Sequence, residues 1–296
     1  MNMEIRLLRY FWTIAEEGTI SRAAEVLHIT QPTLSRQLKS LEEQLGTPLF
    51  VRDTRQMQLT EAGMFLKSRA AEILSLNDAT EHELEARQQQ LFSGNIAIGC
   101  VEAANSETLA GMLTKFIQQY PHVTFHLYDG TSADIRDRLN KGLLDVAVVL
   151  EPAELQHYEK LQLPQTERWG VAIGADQPLA QQTAITPTEL GTLPLVMGQR
   201  AELQQLLTDW IGRPLDELNI VGSMNLGFNT IPLIAAGVVA TLSIEGAVRA
   251  YHNPRVRFVP LAPQLTTNCI LVWKKERVMS PVVNEFIRQF QTAFPA

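Results

Sequence analysis

The residues best placed to do chemistry near the start of this chain are Thr30, Gln31, Pro32, Thr33, Ser35, Arg36 and Lys39. A guanidinium and a carboxamide present forked hydrogen-bond patterns that match the edges of guanine and adenine, while hydroxyls and ammonium groups suit phosphate oxygens. On this reading Arg36 and Gln31 reach base edges in a major groove, and Thr30 and Lys39 hold the backbone. The alternative is a solvated helix face. Chemistry of other kinds finds little support: no HExxH, P-loop, GxSxG or dinucleotide fingerprint stands in the right context, so an enzyme is not expected. The six histidines are scattered, and His126 falls in a predicted strand, where a structural role is the plainer reading. Cys100 and Cys269 lie far apart without ligand spacing, which argues for buried free thiols and against a metal centre. No cofactor is expected.

The elements that must position the first group are legible. Leu34, Leu38, Leu41 and Leu45 step by four, three and four residues, which makes one narrow apolar stripe on a helix. The opposite face then collects Pro32, Arg36, Lys39, Ser40 and Glu43, with Thr33 and Ser35 on its flanks. Pro32 fits the first helical turn, where no donor is lost, and Thr30 or Gln31 stands at the helix N-terminus, where backbone N–H groups suit a phosphate. Two short helices precede it. One carries Leu7, Leu8, Phe11, Trp12, Ile14 and Ala15 and stops at Gly18; the other is capped by Thr19 and sets Ala23 and Ala24 where a neighbour can approach closely. After Gly46, the run Thr47 to Thr60 reads as two short strands around a polar tip bracketed by Arg52 and Arg55, a wing able to place an arginine in a narrow minor groove.

Thr60 caps a further helix running to about Gln90, with apolar or small residues at Ala62, Phe65, Leu66, Ala70, Ile73, Leu74, Leu76 and Leu84. A helix of that length with one apolar stripe needs a partner, either a second copy or its own chain. From Gly94 the pattern changes. Runs at 95–100, 124–128 and 145–150 alternate with helices at about 107–120 and 133–141, a βαβαβ order that predicts a parallel sheet. The alternation recurs through strands at 169–174, 195–197, 237–242 and 270–273, which implies two α/β lobes. Ligands of such sheets bind beyond the carboxyl ends of the strands, in the cleft between lobes. The loops so nominated are Val101 to Ser106, Gly130-Thr131-Ser132, Met197 to Arg200, and Asn225 to Asn229, which includes Phe228. Thr131 and Ser132 combine hydroxyls with a helix N-terminus, either as an anion cradle or as plain caps.

Length and charge bound the rest. At 296 residues two folded units with a connector are expected, and 45% apolar with 19% charged residues is ordinary for a soluble globular chain. The net charge of −7 argues against an indiscriminate nucleic-acid binder, yet residues 1–69 hold nine Lys/Arg against eight Asp/Glu, so nearly all the excess acid lies further on. The longest apolar stretch, Ile231 to Ile244, contains Gly237 and Thr241 and is too short to span a bilayer. With Glu4, Arg6 and Arg9 breaking up the N-terminus, no signal peptide is read, and a cytoplasmic protein without membrane association is expected.

Five pieces in order, Ser21-Arg-Ala-Ala, Thr30-Gln-Pro-Thr-Leu-Ser-Arg36, Leu41-Glu-Glu-Gln-Leu-Gly46, Leu49-Phe-Val-Arg52 and Leu59-Thr-Glu-Ala-Gly63, resemble the signature of the LysR family of bacterial transcriptional regulators. The likeness extends over essentially the whole chain and is most specific in the first 65 residues. It implies an α/β protein overall: an N-terminal all-α winged helix-turn-helix (1–59), a linker and dimerisation helix (60–92) and a two-lobed effector domain like a periplasmic binding protein (93–296). Lobe I would hold about 93–165 plus 270–296, and lobe II about 166–269. It implies double-stranded DNA, a second copy of the chain in dimers and dimers of dimers, and a small-molecule effector as partners. Carried over by motif position, Gln31, Pro32, Thr33, Ser35 and Arg36 meet the major groove and Arg55 the minor groove. Effector binding would shift the balance between lobe closures, and the resemblance alone adds that this changes how DNA is bent. One departure stands out. Where the family commonly has a Ser or Thr after the first strand of the effector domain, this chain has Val101, Glu102 and Ala103. Glu102 either faces solvent or meets an amine, with Arg200 offering the opposite charge for an amino-acid-like zwitterion. Within the same family a redox role for Cys100 is a rival reading; a free-standing solute receptor is a weaker one.

Overall fold

The structure, a computed structural model, describes residues 3–51, 57–88 and 92–295, and the chain forms two compact units, Met1–Glu85 and Ala86–Ala296. Arg52 and Arg55, expected at the wing tip, lie outside the described residues.

In the first unit α1 (Ile5–Glu17), α2 (Ile20–Val26) and α3 (Gln31–Leu45) close around Leu7, Leu8, Phe11, Ile14, Ala23, Ala24, Leu34, Leu38 and Leu41. Gly18 adopts φ +71°, a conformation only glycine takes without strain, and its N–H closes α1 on the Ile14 carbonyl at 3.0 Å. Thr19 Oγ1 then accepts from Arg22 N at 3.3 Å, the expected cap. Strands β1 (Phe50–Val51) and β2 (Gln58–Leu59) pair antiparallel as Phe50 with Leu59 and Val51 with Gln58. Phe50 packs its ring 5.5 Å from that of Phe11, which fastens the wing to the helical core.

Helix α4 (Glu61–Gln88) begins where Thr60 Oγ1 accepts from Gly63 N at 3.0 Å, and at about 1.5 Å per residue its 28 residues span roughly 42 Å. Its apolar residues do not make the single stripe expected. Leu66, Ala70 and Leu74 are buried against the unit's own core, aided by the Arg9–Asp78 ion pair and a 2.9 Å contact from Lys67 to Glu16. Phe65, Ile73, Leu76 and Leu84 are exposed on a neighbouring stripe. One stripe thus packs on its own chain, as one of the two alternatives had it, and the other is exposed.

The second unit contains, in order, β3 (Gly94–Cys100), α5 (Asn105–Gln119), β4 (Val123–Asp129), α6 (Ser132–Lys141), β5 (Val146–Leu150), β6 (Tyr158–Gly174), α7 (Pro187–Leu190), β7 (Leu195–Gly198), α8 (Ala201–Ile211), β8 (Ile220–Met224), α9 (Ile231–Ala235), β9 (Ala240–Ile244), α10 (Glu245–Ala250), β10 (Val256–Pro260), β11 (Thr266–Lys274) and α11 (Pro281–Ala293). The strands follow the path β4-β3-β5-β11-β6-β9-β7-β8, with β10 beside β6. The expected parallel pairs are present, β3 with β4 and β5 in one lobe and β7 with β9 in the other; β7 also runs parallel to β8, a strand not read from the sequence. Two long strands break the purely parallel pattern. β11 runs antiparallel to β5 and β6, and β6 pairs with β11 over its first part and with β9 and β10 over its second. β6 therefore belongs to both lobes, which are joined by continuous backbone. The strand expected at 237–242 starts later because Gly237, at φ +71°, still serves α9, its N–H donating to Ile234 O at 2.9 Å.

The central strands are covered on both faces, whereas the edge strands β4 and β8 are largely exposed. Every residue of β5 is buried, and Phe116 of α5 meets Phe286 of α11 edge-on at 5.2 Å beneath the sheet.

Candidate functional site

On α3 the apolar stripe sets the polar face. Leu34, Leu38 and Leu41 turn inward, Leu45 is half-buried, and Gln31, Pro32, Ser35, Arg36 and Lys39 are exposed together with Thr30 at the N-cap; Thr33 is half-buried at the edge. Thr30 does not cap through its side chain. Its hydroxyl instead meets that of Thr33 at 2.8 Å; Pro32 has no N–H and Thr33 N donates to Thr30 O at 3.0 Å, so in the first turn the Gln31 N–H is the donor left for an anion. Arg36 lies along its own helix, Nε donating to Pro32 O at 3.3 Å, while Lys39 approaches Glu43 at 3.7 Å; both contacts are exposed and readily exchanged. What results is a convex, donor-rich helix face with a wing beside it, suited to a groove.

In the second unit a cavity of about 500 Å³ opens where the strand ends of the two lobes meet. Val101 and Glu102 follow β3, Thr131 and Ser132 begin α6, Arg200 precedes α8, and Asn225 follows β8. The structure thus brings these six expected residues around one space. It places the other three outside: Ala103 and Met197 are buried in the core, and Phe228 is turned outward, its ring 6.0 Å from that of Tyr251. Met197 is hidden because β7, flanked by β8 and β9, is covered on both faces, so alternation does not deliver a side chain to the cleft. Trp169, Leu203, Ser243, Ala247 and Tyr251 also line the cavity and were not singled out from sequence. For Trp169 and Tyr251 the only signal was an aromatic ring near a strand or helix end.

The polar groups form contacts that cross the cleft. Arg200 Nη1 donates to Ser132 Oγ at 2.9 Å and to Leu150 O at 3.4 Å. Glu102 faces neither solvent alone nor open space: its Oε2 accepts from Tyr251 Oη at 2.6 Å and Gly227 N at 3.4 Å. Burial and the neighbouring Glu102 together push the Tyr251 phenol well above its ordinary pKa, so it stays a donor. Thr131 behaves as a cap, accepting from Asp134 N at 3.2 Å and donating to Asp134 Oδ2 at 2.7 Å. Arg136 of α6 bonds Glu202 of α8 at 3.0 Å, a further contact between the two lobes.

Beneath the cleft Glu167, 2% exposed, accepts from Ala104 N at 2.5 Å and from Gly246 N at 3.1 Å. One carboxylate thereby joins the starts of α5 and α10. Nothing larger than glycine fits at position 246, where a Cβ would stand 2.2 Å from Ala104 N.

Cys100 is buried, and burial, with Asp129 adding, pushes its thiol up to about 12; Cys269 is likewise raised to about 12 by burial. At neutral pH a thiol of that kind is ionised to only about one part in a hundred thousand, which argues against Cys100 as an oxidant sensor. Iodoacetamide at about pH 8 is expected to leave both cysteines unmodified in the native protein and to alkylate both once it is denatured. Rapid native labelling of Cys100, read by peptide mass, would restore the redox reading. Among the described residues no cluster of three potential metal ligands is present, and no helix is long and apolar enough to cross a membrane.

Two family profiles match the chain. Residues 5–64 match the profile described as a bacterial regulatory helix-turn-helix protein of the lysR family, and residues 89–295 match that of the LysR substrate binding domain. The Hca operon transcriptional activator HcaR of Escherichia coli strain K12 is 31% identical over 291 residues, 96% of either chain. The transcriptional activator IlvY of Salmonella typhimurium is 31% identical over 292 residues, 96% of this chain and 98% of its own. Among solved structures, CbnR, a LysR family transcriptional regulator, shares the fold with a TM-score of 0.76 at 20% identity, covering 99% of this chain and all of that one. Full-length CbnR complexed with its target DNA gives 0.75 at 21% identity, over 98% of this chain.

Proposed function

Because the chain belongs to the LysR family of bacterial DNA-binding transcriptional regulators, we propose that α3 reads its operator through Gln31, Pro32, Ser35 and Arg36, and that the interlobe cavity receives its effector. The protein is a transcriptional regulator with an effector-binding domain, and its partners are DNA, a small molecule and further copies of itself. Thr30 and Lys39 hold phosphates, and Thr33 supports the first turn. The observation that carries the effector reading is that contacts across the cavity, Arg200 to Ser132 and Glu102 to Tyr251, join one lobe to the other. A molecule entering there must replace or reinforce contacts between lobes, so its binding has a different free energy in open and closed forms, which is the requirement for a population shift.

Exposed Phe65, Ile73, Leu76 and Leu84 on α4 support pairing of that helix with a second copy, which sets two reading heads on one DNA. Leu76→Lys combined with Leu84→Lys is expected to convert the dimer toward monomer in sedimentation velocity without lowering the melting temperature of the first unit. An unchanged sedimentation coefficient would move the interface elsewhere.

Selection from a random DNA library by the full-length protein tests the function itself. The selected pool is expected to share a site with two related half-sites, and Arg36 variants to fail on it. A pool with no common sequence would refute α3 as the reader.

A further inference from the structure

The cavity contains donors that the protein does not satisfy. Among the described residues, four buried side-chain polar atoms have no hydrogen-bond partner in the protein, and three of them, Trp169 Nε1, Arg200 Nε and Arg200 Nη2, belong to side chains lining this one cavity. All three can only donate. Trp169 is 4% exposed, so its indole N–H has no ready access to bulk water. A buried donor left unpaired is costly, and the carboxylate nearest in effect to Arg200, Glu202, is bonded to Arg136 rather than to the free edge of Arg200.

The pair on Arg200 has a particular geometry. Nη1 is already committed to Ser132 and Leu150, and the remaining Nε and Nη2 form the side edge of the guanidinium, whose two parallel N–H bonds match the two oxygens of a carboxylate. The negative groups of the cavity are differently placed: Glu102 Oε2 is taken by Tyr251 and Gly227, and Asp134 Oδ2 by Thr131. Unpaired donors on Arg200 and Trp169, one of them a positive charge, are therefore what this part of the cavity offers a ligand, beside the carboxylates of Glu102 and Asp134.

We propose that the effector is a small organic carboxylate, held by the Nε and Nη2 edge of Arg200 and by Trp169 Nε1. This rests on the cavity being the effector site. Arg200 and Trp169 both stand on the lobe II side of the expected division, and Arg200 reaches lobe I through Nη1, so a carboxylate on its free edge neutralises the charge that bridges the lobes. Glu102, facing the same space, then accepts from a hydroxyl or amino group elsewhere on the ligand and discriminates among acids.

Full-length protein titrated with monocarboxylates from acetate and lactate to benzoate, with their primary amides, the corresponding amines and inorganic phosphate, is expected to show thermal shifts with carboxylates alone. Trp169→Phe keeps an aromatic ring, though a smaller one, and removes the donor; Arg200→Lys keeps the charge and removes the fork. Each is expected to weaken the carboxylate by about tenfold or more, as the loss of a charge-assisted hydrogen bond does. Trp169→Phe carries the test if the Arg200 variant does not fold. An amide, amine or phosphate that binds as well, an unchanged affinity in Trp169→Phe, or silence from every carboxylate overturns the proposal. Ser243→Phe, which fills the cavity, separates it from the reading beneath it. A carboxylate that this variant still binds sits elsewhere and refutes the cleft as the effector site; a neutral or cationic effector that the variant excludes refutes the carboxylate alone.

Discussion

Arg36→Ala lowers affinity for the selected operator by about a hundredfold or more while leaving the dimer and its weak binding to unrelated DNA intact. The size follows from the contact type and its duplication. A bidentate guanidinium contact to a base discriminates by about 1–3 kcal/mol, and a dimer carries it in both half-sites, so the paired loss is about 2–6 kcal/mol. The fold loses little, because Arg36 is exposed and its hydrogen bond among the described residues is to the carbonyl of Pro32 in its own helix. Lys39→Ala separates reading from holding. As a phosphate contact it should weaken all sequences alike and flatten the salt dependence of binding, whereas Arg36→Ala should flatten discrimination and leave the salt slope nearly unchanged. Gel-shift titrations on the selected site and a scrambled duplex at two salt concentrations decide it. Retained discrimination in Arg36→Ala would assign recognition to another element.

The contrast between the two units shows which features a local pattern can convey. Helix α3 was legible because one period of Leu residues fixes both its buried face and, by opposition, its exposed one. The second unit was legible in most of its strands, though not β8 and β10, and not as a sheet. The first half of β6 escaped because Tyr158 to Arg168 carries Glu159, Lys160, Gln162, Gln165, Glu167 and Arg168, a run too polar to read as a strand; it is held by pairing with β11, about a hundred residues away. The cavity repeats the lesson. Its loops were found by the rule of strand ends, yet Trp169 was absorbed into a strand, and Met197 was offered to a cleft it does not reach. On α4 eight apolar or small positions looked like one stripe because a helical wheel cannot say which neighbour a residue meets.

Glu167 is the clearest case of a residue invisible to pattern and decisive in the structure, and Glu167→Gln should destabilise the Ala86–Ala296 unit more than any surface substitution. The carboxylate accepts from two backbone donors, Ala104 N at the start of α5 and Gly246 N at the start of α10. A carboxamide has the same shape but only one acceptor oxygen, so whichever way it is turned its NH₂ meets a backbone N–H. One buried donor is left unpaired and a second is brought against it, a loss of about 2–4 kcal/mol, larger than the partial relief from removing a buried charge that already has both oxygens satisfied. For a unit of this size that corresponds to a fall of about 5–15 °C in melting temperature. The consequence for regulation is more specific than loss of stability. The two donors belong to the two lobes, and Gly246 passes so close to Ala104 that the lobes meet at this point backbone to backbone. With the joint loosened, effector binding in the cleft above should still occur but should transmit less of its free energy to the DNA, so the effector-induced change in operator affinity shrinks while effector affinity falls less. Calorimetry of the variant, followed by operator titrations with and without effector, reads both quantities. A melting temperature within a degree of the parent would mean that Ala104 and Gly246 find other acceptors, and full coupling in a destabilised variant would confine Glu167 to holding the fold.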